Sequence, residues 1–116
     1  MDLQQLSVEL ENEHPRIAPS IRYVIKSFNV RPDIAAELGN LNPNQLKQSI
    51  VALADHIALG LLEIIEQERI AMTVYLLSDL TEKDAVMNTI ADVFNTGVDS
   101  FVEHVKKFME ARRAFV

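Results

Sequence analysis

All four prolines of the chain, Pro15, Pro19, Pro32 and Pro43, lie within its first 43 residues, and none occurs from Asn44 to Val116. Proline lacks a backbone donor and clashes with the preceding turn, so it breaks a helix interior but suits a first helical turn. The chain therefore divides into a punctuated front, residues 1–42, of short helices and turns, and a back, residues 43–113, free to form long helices.

Apolar spacing fills in the front. Leu3, Leu6 and Leu10 recur at helical intervals behind Asp2, a capping residue, and His14-Pro15 ends that helix because the residue before proline disfavours the α region. A second helix is expected from near Pro19 to about Asn29, with Ile21, Val24, Ile25 and Phe28 as its apolar stripe. Pro32 opens a short helix to Leu38, and Gly39 is its expected C-terminal stop.

Asn42-Pro43-Asn44-Gln45 is the sharpest local signal: Asn is a good N-cap, Pro is favoured at the next position, and Gln three residues on resembles a capping box. Leu46, Ile50, Leu53, Ile57, Leu61 and Ile64 then fall in one stripe, which predicts a helix to about Ser78. Gly60 weakens such a helix by about 1 kcal/mol, too little to be expected to end it. Asp79-Leu80-Thr81 reads as a tight turn, and a last helix is predicted from Glu82 to about Arg113 on Val86, Ile90, Val93, Phe94, Val98, Phe101, Val105 and Phe108. Residues 70–77 could also be read as a buried strand, but no second strand is available to pair with it. The expected fold is all-α: a single helical domain, residues 1–116, built on a long antiparallel helix hairpin with short N-terminal helices packed across it.

Composition excludes several classes. The absence of cysteine removes disulfide scaffolds and thiolate metal sites, and fits a reducing, cytoplasmic setting. The acidic, polar start Met1-Asp2-Leu3-Gln4-Gln5 is not that of a secretory signal. The most apolar stretch, Ile57 to Leu80, is interrupted by Glu63, Glu66, Glu68, Arg69 and Asp79, so no membrane span is expected. A net charge of −6 argues against general nucleic-acid binding, which relies on Lys and Arg at phosphates.

Little points to chemistry. Glu11-x-x-His14 has the spacing used in di-iron bundles, but one copy at a helix end cannot build that site. His56 and His104 read as boundary residues, and the carboxylate pairs Glu63/Glu66 and Asp99/Glu103 as solvated helix faces. Gly39, Gly60 and Gly97 are isolated, so there is neither a phosphate-cradling loop nor a nucleophile elbow. No catalytic residue, cofactor site or metal site is assigned, and the chain is expected not to be an enzyme.

Two surfaces remain. Residues 14–32 carry Arg16, Arg22, Lys26 and Arg31 with no acid, and the helix-turn-helix-like run from Ile34 through Gly39 to the next helix extends that segment to residue 48. The match is poor, because the second helix opens on Pro43 and its first turns offer Asn44, Gln45, Lys47 and Gln48. The other surface is a surplus of apolar residues. Leu59, Leu62, Ile70 and Leu77 lie opposite Leu53 and Ile57, so the helix is apolar nearly all round; such a helix is central in a bundle or sits in an interface. Against the interface stands cover from within, by Leu6, Leu10, Ile21 and Ile25 of the front helices. Glu68 falls on the projected core stripe and would need a partner there.

The resulting expectation is a non-enzymatic protein-interaction module, a small regulator, chaperone or inhibitor acting through apolar helix faces. It would pair with itself through Leu59, Leu62, Ile70 and Leu77, and with another protein. The alternatives are a DNA-binding regulator using residues 14–48, and a small helical enzyme or ligand binder with a pocket between the long helices.

Overall fold

A computed structural model describes residues 2–60, 67–80, 82–95 and 110 of the chain, with the side chains of Glu68, Lys83 and residues 91–95 excepted. Among the described residues every regular element is helical: α1 (Leu3–Glu13), α2 (Ala18–Ser27), α3 (Pro32–Leu38), α4 (Pro43–Ala58), α5 (Gln67–Leu77) and α6 (Lys83–Asn95). Two 3₁₀ turns, Pro15–Ile17 and Phe28–Val30, make the corners of the front half. None of the described helices is long and apolar enough to cross a membrane.

The prolines and caps act where the sequence places them. Asp2 caps α1, its carboxylate accepting from the Gln4 N–H at 2.9 Å. The helix stops at His14, whose backbone (φ −130°, ψ 65°) has left the α region ahead of Pro15. Pro19 and Pro32 sit in the first turns of α2 and α3, where no donor is missed. Asn42 caps α4 by accepting from the Asn44 N–H at 2.9 Å, with Pro43 as the first helical residue.

The back half departs from the expected hairpin. The helix from Pro43 does not continue to Ser78; α4 ends at Ala58. Leu59 N–H still reaches the Asp55 carbonyl at 3.0 Å, but Gly60 turns left-handed at φ 70° and donates to the Ile57 carbonyl at 3.0 Å. That is a glycine stop, a conformation which strains residues bearing a Cβ. Gly39 contributes less than expected: α3 ends before it, but its φ of −64° is right-handed. Of the predicted helix from Glu82 to Arg113, the structure describes α6, Lys83–Asn95, and Glu110, which is helical; Gly97 and His104 lie outside the described residues.

The axis of the described structure is α5. Every residue from Ile70 to Ser78 is buried. The helix is enclosed by α2, α3, α4, α6 and the Phe28–Val30 turn. Ile70, Ala71, Val74, Tyr75 and Leu77 join Leu6, Leu10, Ile21, Val24, Phe28, Ile34, Leu38, Leu46, Ile50, Leu53 and Ile90 in one core. The apolar circumference of this segment is thus absorbed within a single chain, and the front helices supply much of the cover. Its polar groups are met locally: Thr73 Oγ1 donates to the Arg69 carbonyl at 2.6 Å and Ser78 Oγ to the Tyr75 carbonyl at 2.7 Å. Such back-bonding lets a hydroxyl enter a core without stranding a donor.

Candidate functional site

The turn at Pro15–Ile17 folds α2 back against α1, and the two helices pack along their length. Leu6 and Leu10 of α1 and Ile21 and Val24 of α2 point inward. On the outer side the pair leaves a groove of about 390 Å³, lined by Gln4, Ser7, Val8 and Glu11 from α1, Arg22, Ile25 and Lys26 from α2, and Asn29 from the 3₁₀ turn that follows it. Both sets follow the i, i+3, i+4, i+7 spacing of a single helical face. Val8 is 55% exposed, and Ile25 is half-buried beside the core.

One end of the groove is closed by an ion pair. Arg22 Nε donates to Glu11 Oε1 at 2.6 Å, and Ser7 Oγ donates to Glu11 Oε2 at 2.9 Å. These two hydrogen bonds, the arginine first, hold the Glu11 carboxyl below its usual range. Lys26 stands exposed on the α2 rim. The site therefore combines a narrow apolar floor with a charged edge.

A second depression, of about 470 Å³, lies between the end of α1 and α4, with Leu10 and Val51 on its floor and Glu13, His14 and Lys47 at its rim. Lys47 Nζ donates to Glu9 Oε1 at 2.6 Å, and that bond, with the negative charges of Glu9 and Glu13, raises the lysine pKa. The cation is committed to tying α4 to α1. No group of three or more His, Asp or Glu side chains that could hold a metal ion is present among the described residues.

The residues singled out from the sequence scatter across the fold. Ile70 and Leu77 are 0% and 1% exposed, so the expectation that they form a subunit interface is corrected: both belong to the core of one chain. Their apolarity reflects the central position of α5. Leu59 is 67% exposed beside the Gly60 stop, and Leu62 lies outside the described residues. Of the four cations from residues 14–32, Arg16 is exposed on the first 3₁₀ turn and Lys26 lines the groove, while Arg22 holds Glu11. Arg31 donates twice to Asp33, from Nε at 3.0 Å and Nη2 at 2.7 Å, which drives the Asp33 pKa down to about 2. Its Nη1 also lies 3.9 Å from Met72 Sδ. The main contacts of α3 are with α5 and the Phe28–Val30 turn, not the packing across the next helix that a helix-turn-helix would need.

His56 bridges two helices: Nδ1 lies 2.8 Å from the Ala52 carbonyl, which can only accept, and Nε2 lies 3.0 Å from Met87 Sδ on α6. His14, half-buried, sits at the rim of the second depression, and Glu63 and Glu66 lie outside the described residues.

Sequence reasoning passed over the α1–α2 groove. Its signal was Val8, an apolar residue roughly 160° or more around the helix from Leu6 and Leu10 at about 100° per residue. Comparison with protein-family models, with curated proteins and with solved structures gives no match.

Proposed function

We propose that this chain is a non-enzymatic protein-interaction module whose α1–α2 groove receives an amphipathic helix of another polypeptide. The observation that carries this reading is the exposure of Val8 in a groove bordered by two antiparallel rows of residues, Gln4-Ser7-Val8-Glu11 and Arg22-Ile25-Lys26-Asn29. Two helices side by side offer the concave seat into which a third helix lays its apolar face, anchored at i, i+3, i+4 and i+7. Ile25 and Val8 supply the apolar contact, while Lys26 and the Glu11–Arg22 pair set the register of charges along the edge.

The apolar floor is small, so the reading implies a transient contact rather than an obligate one, below roughly 1,200 Å² of total buried surface. The nucleic-acid reading is not carried forward, because Arg22, Arg31 and Lys47 each already hold a carboxylate.

The test is an amide and methyl chemical-shift titration with a synthetic amphipathic helix bearing leucines at i, i+3, i+4 and i+7 and flanking glutamates. The reading expects shifts that cluster on Ser7, Val8, Ile25 and Lys26 and vanish in Val8→Glu. Shifts centred on Leu59 and Met87, or none at all, would contradict it.

A further inference from the structure

His56 of α4 and Met87 of α6 meet away from the groove, and their contact is chemically incomplete. The His56 Nδ1–H donates to the Ala52 carbonyl at 2.8 Å, one turn back along α4. Because a carbonyl only accepts, this bond places the ring proton on Nδ1, and in the neutral imidazole Nε2 then carries a lone pair. That lone pair faces Met87 Sδ at 3.0 Å. A thioether sulfur is itself a lone-pair donor and has no hydrogen to offer. Two electron-pair donors from different helices thus converge with no hydrogen between them. We propose that His56 Nε2 and Met87 Sδ form a binding site for a soft monovalent cation, Cu(I), which bridges α4 and α6.

The chemistry of the pair selects the ion. Thioether sulfur is a soft ligand that favours Cu(I), and imidazole also suits copper, whereas Mg²⁺ and Ca²⁺ take oxygen. Zinc sites gather three or four Cys, His or carboxylate ligands, and no group of three or more His, Asp or Glu side chains that could hold a metal occurs among the described residues. The outer support is in place as well. A metal-ligating histidine almost always donates its second ring N–H to a carbonyl or carboxylate, which fixes the tautomer and aims the free nitrogen; the Ala52 carbonyl does this for His56. An ion about 2.0 Å from nitrogen and about 2.3 Å from sulfur at a tetrahedral angle holds the two roughly 3.5 Å apart, so the pair opens by only about half an ångström. Met87 is unbranched and 41% exposed, so its sulfur swings that far without disturbing the core. His56 is half-buried and held by its bond to α4, while the exposure of Met87 leaves one side of the ion open. Such a site exchanges its ion with solvent and carriers. The net charge of −6 favours a cation over the molecule as a whole.

The test is an anaerobic NMR titration of the full chain at neutral pH with Cu(I) delivered as its acetonitrile complex. The expected result is a shift of the His56 ring protons and the Met87 ε-methyl that saturates together at one equivalent. Ring nitrogen shifts before metal is added should show the neutral tautomer protonated on Nδ1. Met87→Leu conserves side-chain volume, so it keeps the fold and removes only the sulfur. Met87→Leu and His56→Gln should each weaken binding at least roughly tenfold, whereas His14→Gln should leave it unchanged. Unchanged circular dichroism in each variant shows that folding is intact. A titration without response overturns the proposal, as does binding that survives Met87→Leu or that shifts other methionines in place of Met87. A His56 ring doubly protonated at neutral pH also overturns it, making the contact an N–H···S hydrogen bond.

Discussion

The hydroxyl of Tyr75, a side chain only 2% exposed on α5, donates to Glu37 Oε2 on α3 at 2.6 Å. This bond links the central helix to the shortest one. A buried phenol needs an acceptor, and α3 brings one to it, so the contact stabilises the placement of Ile34 and Leu38 against the core. Tyr75→Phe leaves the ring packing intact and removes the donor. It should destabilise the fold by about 1 kcal/mol in urea denaturation, since Glu37 is only half-buried and can turn to water.

Gly60→Ala distinguishes a broken helix from a continuous one by its sign. At φ 70° an added Cβ meets nothing within 4 Å, so the penalty is backbone strain alone, about 1–2 kcal/mol of destabilisation. In an uninterrupted helix the same change would stabilise by about 1 kcal/mol. Thermal melting of the variant reads this directly; a raised midpoint would contradict the stop at Gly60.

Ile70, Leu77 and Leu59, grouped together by sequence, should separate on substitution. Ile70→Ala empties a fully buried site and should cost about 2–5 kcal/mol. Leu77→Glu places a carboxylate in the core and should abolish cooperative folding. Leu59→Glu, at a position 67% exposed, should change stability by less than about 0.5 kcal/mol. Chemical denaturation followed by far-ultraviolet circular dichroism checks all three, and a well-folded Leu77→Glu would return that residue to the surface.

How much of this was legible in the sequence varied with the physics. Asp2, His14-Pro15 and Asn42-Pro43 act through local sterics and hydrogen bonds, and the structure shows each acting as the sequence implied. Gly60 was not legible as a stop. Leu61 and Ile64 extend the stripe of Leu53 and Ile57, and the roughly 1 kcal/mol cost of a helical glycine is small beside tertiary packing. The all-round apolarity around Ile70 and Leu77 was visible but ambiguous, because a central helix and an interface helix carry the same pattern. Only the folding back of α2 and α3 onto α5 resolves it. Val8 was equally visible and uninterpretable: a lone exposed valine means nothing until Ile25 stands across the groove from it.

Acid should weaken the tie between Arg31 and α3. The Asp33 pKa is depressed to about 2 in the folded chain by the Arg31 guanidinium, so its contribution is present above the unfolded value near 3.9 and is lost as pH falls through about 2. Because the Asp33 side chain is 56% exposed, solvent screening holds this to less than about 1 kcal/mol. Asp33→Asn should flatten the dependence of stability on pH between about 4 and 2 by that small amount. An unaltered slope would show that the two groups are not paired in solution.

The central claim, that the α1–α2 groove is where this protein meets its partner, is tested most directly by intermolecular paramagnetic broadening. A synthetic amphipathic helix with leucines at i, i+3, i+4 and i+7 and flanking glutamates carries a single nitroxide label at one end. Mixed with isotope-labelled, unmodified chain at high micromolar concentration, it should broaden the amide signals from Arg22 to Asn29, and Val8→Glu in the observed chain should abolish the effect. Broadening centred on Leu59 and Met87, or uniform weak broadening over the whole surface, would contradict the account.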